Sequence, residues 1–256
     1  MRILKSVSLI FPAFNERARI QETVLEASSF FCSKGIEHEI IVCADGTDGT
    51  REHAQALQGV VKNLIVIGGS ERRGKGYAIR KGVEIASCDI VGYADADNKT
   101  PITEFEKFIE HFHTGSQIVI GIRNFGLSET VGSRKWIRRV GSFVFNRVVK
   151  ALLDLNDITE LQCGFKFFDT RIAKSVFALQ RINGYMFDAE ILSIARKSKV
   201  SIQQVSVTWK DDRDSRLKLF TGNLRNFLDI VKICLRHYPA ISVNDSAAQT
   251  LVPNMN

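Results

Sequence analysis

No stretch of this 256-residue sequence is apolar for the length of a membrane span, so no transmembrane helix is expected. Cysteine is sparse and unpaired in pattern. Cys32, Cys43, Cys88, Cys163 and Cys234 make an odd, scattered set with no C-x-x-C, which excludes a disulfide framework and a zinc ribbon. They read as reduced, mostly buried thiols of a cytoplasmic protein. The five histidines show no zinc spacing beyond His111 and His113, and residues two apart on a helix do not converge. No G-x-G-x-x-G follows the first apolar run, which argues against a nicotinamide enzyme, and there is no G-x-S-x-G elbow. Met1–Lys5 leads straight into a strand-like run, so no signal peptide is expected. There is no internal repeat, no low-complexity linker, no Lys/Arg-rich tail and no basic zipper.

What remains is an ordinary globular composition with a formal charge of +7. That charge suits a polyanionic partner: nucleic acid, a phosphorylated substrate or an anionic membrane face. Nucleic acid is the weakest of these, because no recognition module or aromatic platform is present.

Strand-like and helical runs alternate through the first half. Val7–Phe11 is apolar and is expected to end at Pro12. Helix is expected over Arg17–Lys34, strand over Glu39–Cys43, helix over Thr50–Leu57 and strand over Leu64–Ile67. Helix over Gly74–Ser87, strand over Ile90–Ala94, helix over Thr103–His113 and strand over Gln117–Ile122 follow. This order implies an α/β fold with a mostly parallel sheet flanked by helices. Ligands of such sheets sit beyond the carboxyl ends of the strands, which directs attention to Pro12–Glu16, Ala44–Asp48, Gly68–Gly76 and Asp95–Lys99. The second half reads as a long amphipathic helix (Arg134–Leu153), a strand (Cys163–Phe168), a helix (Phe187–Ser198), a strand (Val200–Trp209) and a last amphipathic helix (Asn223–His237).

The sharpest chemical signal is Asp95-Ala96-Asp97 at the end of an apolar run. On an extended chain both carboxylates face one site. Two adjacent carboxylates repel unless a cation joins them. Oxygen ligands favour Mg²⁺ or Mn²⁺, which completes its shell with phosphate and water. A solvated loop with two acids is the plainer reading. Gly69-Ser70-Glu71-Arg72-Arg73-Gly74-Lys75 nearly spells a nucleotide-binding P-loop, but Gly76 stands where Ser or Thr is required. A milder reading is an anion-friendly glycine loop at a helix start. Pro12-Ala13-Phe14-Asn15-Glu16 fits either a ligand-contacting turn or simple helix capping.

Taken together, these segments resemble family-two glycosyltransferases of GT-A fold, and within them the dolichyl-phosphate glucosyl- and mannosyltransferases. The likeness runs in order over about Ser6 to Leu219. It includes Pro12–Glu16, Asp45-Gly46-Thr47-Asp48-Gly49-Thr50, Gly74-Lys75-Gly76 with Arg80 and Gly82, Asp95-Ala96-Asp97 and Gly121-Ile122-Arg123. It continues through Gln162-Cys163-Gly164-Phe165-Lys166-Phe167-Phe168, Phe187-Asp188-Ala189-Glu190, and Trp209 with Ser215-Arg216-Leu217. The Q-C-G-F-K run points to the lipid-phosphate branch.

The resemblance implies a single GT-A domain over 1–240, with a nucleotide-sugar half (1–122), an acceptor half (123–240) and a polar tail (241–256). It implies a UDP- or GDP-hexose donor, an isoprenoid phosphate acceptor and Mg²⁺ or Mn²⁺. Pro12, Ala13, Phe14, Glu16, Asp45, Lys75, Asp95 and Ala96 would line the donor nucleotide site, with Asp95 and Asp97 on the metal. Asp95, Asp97 and Arg123 would carry catalysis, and Arg123, Arg138, Arg216 and Lys166 the acceptor phosphate. Asp188 or Glu190 would serve as base only if the acceptor were a hydroxyl. Three departures stand out: Ala44 before Asp45, Lys99 two residues after Asp97, and Glu160 with Leu161 before Q-C-G-F-K.

The expected reaction is inverting transfer of glucose or mannose to a polyprenyl or dolichyl phosphate at a cytoplasmic membrane face. The basic amphipathic stretches either lie on an anionic leaflet or close the core. The alternatives are transfer to a sugar hydroxyl of a polysaccharide or glycolipid, and a catalytically weak sugar-nucleotide-binding protein.

Overall fold

The computed structural model describes residues 4–124, 147–210 and 223–241. Seven strands form one mixed sheet in the order β3-β2-β1-β4-β6-β5-β7. They are β1 (Ser6–Phe14), β2 (Glu37–Asp45), β3 (Leu64–Ile67), β4 (Ile90–Ala94), β5 (Ile118–Asn124), β6 (Phe165–Asp169) and β7 (Ile202–Thr208). β3, β2, β1 and β4 run parallel. β6 runs antiparallel between β4 and β5, and β7 is parallel to β5. The helices are α1 (Ile20–Ser33), α2 (Thr50–Gln55), α3 (Lys75–Ile85), α4 (Glu106–His113), α5 (Thr170–Leu179), α6 (Phe187–Lys197) and α7 (Asn223–Leu235). Of the long helix expected over Arg134–Leu153, residues 147–152 are helical and the rest lies outside the described residues.

The two-residue strand period sorts side chains into two cores. Val7, Leu9 and Phe11 of β1, Ile40 and Val42 of β2, and Phe165 and Phe167 of β6 pack with α1 and α4 on one face. Ile10, Ile41, Val91, Ile118 and Phe168 pack with α3, α5 and α6 on the other. Phe167 lies so close over Gly92 that a Cβ there would stand 2.1 Å from its ring.

Three expectations need correction. β1 does not stop at Pro12 but continues to Phe14, in register with β2. Beyond Ile10 it pairs only with β2, and a strand with one open flank tolerates a residue without N–H. Helix α5 was not expected. Its cap is Asp169, whose carboxylate accepts from the N–H groups of Arg171 and Ile172. Its buried residues Ile172, Ala173, Val176 and Phe177 recur at helical spacing. The chain after β4 is a turn rather than an extended segment: Asn98 N–H donates to the Asp95 carbonyl (3.2 Å), and Asn98 has φ 54°.

The carboxyl ends of β1–β5 and β7 all point to one edge, where β6 also begins. That edge collects Phe14, Asp45, Asp95, Arg123 and Trp209, with Gly164 beside them.

Candidate active site

Asp95 follows β4 directly, and Lys75 opens α3. Lys75 Nζ donates to Asp95 Oδ1 at 2.5 Å. Burial pulls the Lys75 ammonium pKa down, but Asp95, with Asp188 and Tyr185, outweighs it and the net shift is upward. Asp97 sits in the turn and takes the backbone N–H of Lys99 on Oδ1 (3.4 Å), while Lys99 Nζ lies 3.6 Å from Oδ2. Burial raises the Asp97 pKa, and the Asp95 charge adds to it. The Asp95 charge is thus felt at Asp97, and a turn rather than an extended backbone carries the second acid.

The glycine loop corrects another expectation. Its N–H groups already hold an anion, the Asp45 carboxylate. Gly69 N–H (3.3 Å), Arg73 N–H (3.0 Å) and the Arg73 guanidinium (2.5 Å) all donate to it. At the start of α3, Gly76 N–H donates to the Asn183 carbonyl (2.9 Å). Gly74, at φ 105°, is packed so that a Cβ would meet that carbonyl. Two of the loop's N–H groups and the Arg73 side chain thus clamp Asp45. The loop also positions Arg72 over the ring of exposed Phe14, at 4.5 Å. Ala13 and Ala96 direct their methyl groups into the core, so only their backbone faces the edge. Glu16 N–H donates to Thr50 Oγ1 (2.8 Å), and Pro12 is half-buried. A shallow cleft of about 450 Å³ opens beside Asn15–Glu16, between the starts of α1 and α2.

Lys166, expected on the acceptor phosphate, is instead buried in the framework. It is 0% exposed, and its Nζ donates to Asp188 Oδ1 (2.5 Å), the Cys163 carbonyl (2.7 Å) and the Leu161 carbonyl (2.9 Å). Three donors meet three acceptors, as a buried ammonium requires. Tyr93, in register opposite Lys166, donates its hydroxyl to the same Asp188 oxygen at 2.6 Å. Lys166 thereby fastens the 161–164 segment, and Gly164 lies under Asp95. Glu190 is likewise built in. It accepts from Arg181 N–H (2.9 Å), Ile182 N–H (2.8 Å) and the Tyr238 hydroxyl (2.6 Å).

Arg123, at the end of β5, is held by Glu160, which accepts from its backbone N–H (2.8 Å), its Nε (2.5 Å) and its Nη2. Its guanidinium stands 5.3 Å from the Trp209 ring centre, and Lys99 Nζ stands 5.6 Å from the same ring. Glu160, a departure from the resembled pattern, thus positions Arg123, and Trp209 gathers two cations. Arg138 and Arg216 lie outside the described residues. Arg73 joins the site without a local signal beyond an arginine beside a glycine, 28 residues from the acid it clamps.

A parallel half-sheet with acids at its strand ends, extended by an antiparallel strand and a cationic second half, is the GT-A architecture. The chain belongs to glycosyl transferase family 2, whose family model matches residues 8–177. Among similar proteins is the dolichyl-phosphate beta-glucosyltransferase of Dictyostelium discoideum, 29% identical over 244 residues, covering 90% of this chain and 74% of that protein. The enzyme of the same name from Homo sapiens is 29% identical over 247 residues, covering 91% and 76%. A solved structure of glucosyl-3-phosphoglycerate synthase from Mycobacterium tuberculosis, with Mn²⁺, UDP and phosphoglyceric acid, shares the fold. Its TM-score is 0.67 at 22% identity, over 90% of this chain and 78% of that one.

Proposed function

We propose that this chain transfers glucose from a nucleotide-diphosphate sugar to a dolichyl or polyprenyl phosphate, with inversion at the anomeric carbon. The observation that carries the reading is the fate of Asp188 and Glu190. A hydroxyl acceptor needs a base, and both carboxylates are buried in structural hydrogen bonds. A phosphate acceptor is already ionised at neutral pH and needs none. The names of the similar proteins support the same acceptor.

Asp95 and Asp97 offer carboxylate oxygens suited to Mg²⁺ or Mn²⁺. Among the described residues no cluster of three His, Cys, Asp or Glu completes a cage, which fits an ion that draws its other ligands from diphosphate and water. Bound there, the ion would neutralise charge on the leaving diphosphate. The chain's own part is to orient and to exclude. Lys75 holds Asp95 and presents a second positive charge to the diphosphate. Phe14 and Arg72 offer a face for the base. Arg123, fixed by Glu160, meets the acceptor phosphate, whose oxygen attacks the anomeric carbon as the bond to the nucleoside diphosphate breaks. No helix among the described residues is long and apolar enough to cross a membrane.

The test is transfer from UDP-[¹⁴C]glucose and GDP-[¹⁴C]mannose to dolichyl phosphate in detergent with Mn²⁺. Label in an organic-soluble glucosyl lipid supports the reading. Transfer only to soluble sugar acceptors would replace it with the hydroxyl reaction.

A further inference from the structure

The two acids of the donor site each face a lysine, but the lysines are held differently. Among the described residues Lys75 donates to Asp95 at 2.5 Å. Lys99 is gripped from three sides. The turn at Asn98 folds its ammonium back to 3.6 Å from Asp97 Oδ2. Its Nζ stands 5.6 Å from the Trp209 ring centre. Its carbonyl receives the N–H of Lys210 at 2.9 Å, tying the turn to the end of β7. The side chain is 12% exposed. An exposed ion pair on a free lysine contributes little; a lysine with backbone and ring held in place has already lost its freedom and costs little more to use.

We infer that Lys99 is a resident cation of the donor diphosphate site. It takes up part of the space a divalent ion needs at Asp97, and with Lys75 it pairs with the diphosphate directly. Nucleoside diphosphate binding in this chain then depends little on metal, while catalysis retains the benefit of the ion. This rests on the donor-site reading above.

The test uses the whole chain and two readouts other than turnover. Calorimetry measures UDP binding in EDTA and in Mn²⁺, and electron paramagnetic resonance measures binding of Mn²⁺ alone. For the wild type, UDP affinity in EDTA should lie within tenfold of that in Mn²⁺. Lys99→Gln should weaken UDP binding in EDTA by at least tenfold and tighten Mn²⁺ binding by about tenfold. Lys99→Arg, which keeps the charge and the ring contact, should hold UDP in EDTA as the wild type does and shows that the fold survives at this position. A wild type that loses more than tenfold in EDTA overturns the inference. So does a Lys99→Gln protein with unchanged affinities, even though the donor site then stands. Absence of UDP and GDP binding under both conditions would instead bring down the donor-site reading, and this inference with it.

Discussion

Gly164 and Asp95 are in direct contact: a Cβ on Gly164 would stand 2.0 Å from Asp95 Oδ2. The glycine of the Q-C-G-F-K run is therefore the floor on which the first acid of the donor site rests. Gly164→Ala pushes a half-exposed carboxylate aside rather than the backbone, and the Lys75–Asp95 pair opens. The expected result is a rise of about tenfold in the KM for the sugar nucleotide, with a melting temperature within about 2 °C of wild type. Steady-state kinetics and a thermal melt check both halves.

Lys166 and Asp188 form a buried pair in which removing one partner strands the other. Lys166→Met should cost about 3–5 kcal/mol of unfolding free energy in urea, as uncompensated buried charges do. Lys166→Met with Asp188→Leu should recover part of that loss. Recovery stays incomplete because the Tyr93 hydroxyl then lacks its acceptor, at about 1–3 kcal/mol.

Asp97 is placed at a turn, half-buried and outside both cores. Asp97→Ala should lower kcat by at least about a hundredfold, the scale of losing one electrostatic contact to developing charge, because Asp97 would hold the cation that makes that contact. Urea unfolding should stay within about 1 kcal/mol of wild type. Near-normal turnover would remove Asp97 from the mechanism.

The thiols give a pH prediction. Burial, with the Asp45 charge behind it, pushes Cys43 from its ordinary value near 9 up to about 12, and burial pushes Cys163 to about 11. Folded protein keeps these protons where unfolded chain releases them. The stabilising contribution is complete below pH 9 and is lost as pH rises toward 11–12. Unfolding free energy should therefore fall on the alkaline side, less steeply in Cys43→Ala. At pH 8 a disulfide reagent should label the exposed Cys32 and Cys234 at once, and Cys43 and Cys163 only after denaturation.

Much of the fold was legible because its strands are apolar runs bounded by polar turns. β3 and β4 run over the expected residues, Leu64–Ile67 and Ile90–Ala94. Pro12 misled because a proline reads as a stop, whereas an unpaired strand flank accommodates it. Helix α5 escaped because Asp169 closes β6 and caps the helix in one residue, leaving no loop between them to mark the change.

In the candidate site, residue types were readable and partners were not. Lys166 among phenylalanines looked like a ligand-binding cation, because its acceptors are two backbone carbonyls and an acid 22 residues away. The Arg73 guanidinium closes on Asp45 from 28 residues away, a pairing that no local pattern carries.

The sequence alone determined that acids, glycines and arginines would meet at one sheet edge. Alternating strands and helices allow few topologies, and all of them bring the strand ends together. Tertiary structure alone decided which charges neutralise one another. Ion pairs depend on distances of a few ångströms between residues far apart in the chain, and local patterns carry no such distances. That is why Lys166, Asp188 and Glu190 turned out to be framework, and why Lys75 and Lys99 stand beside the two acids at the donor edge.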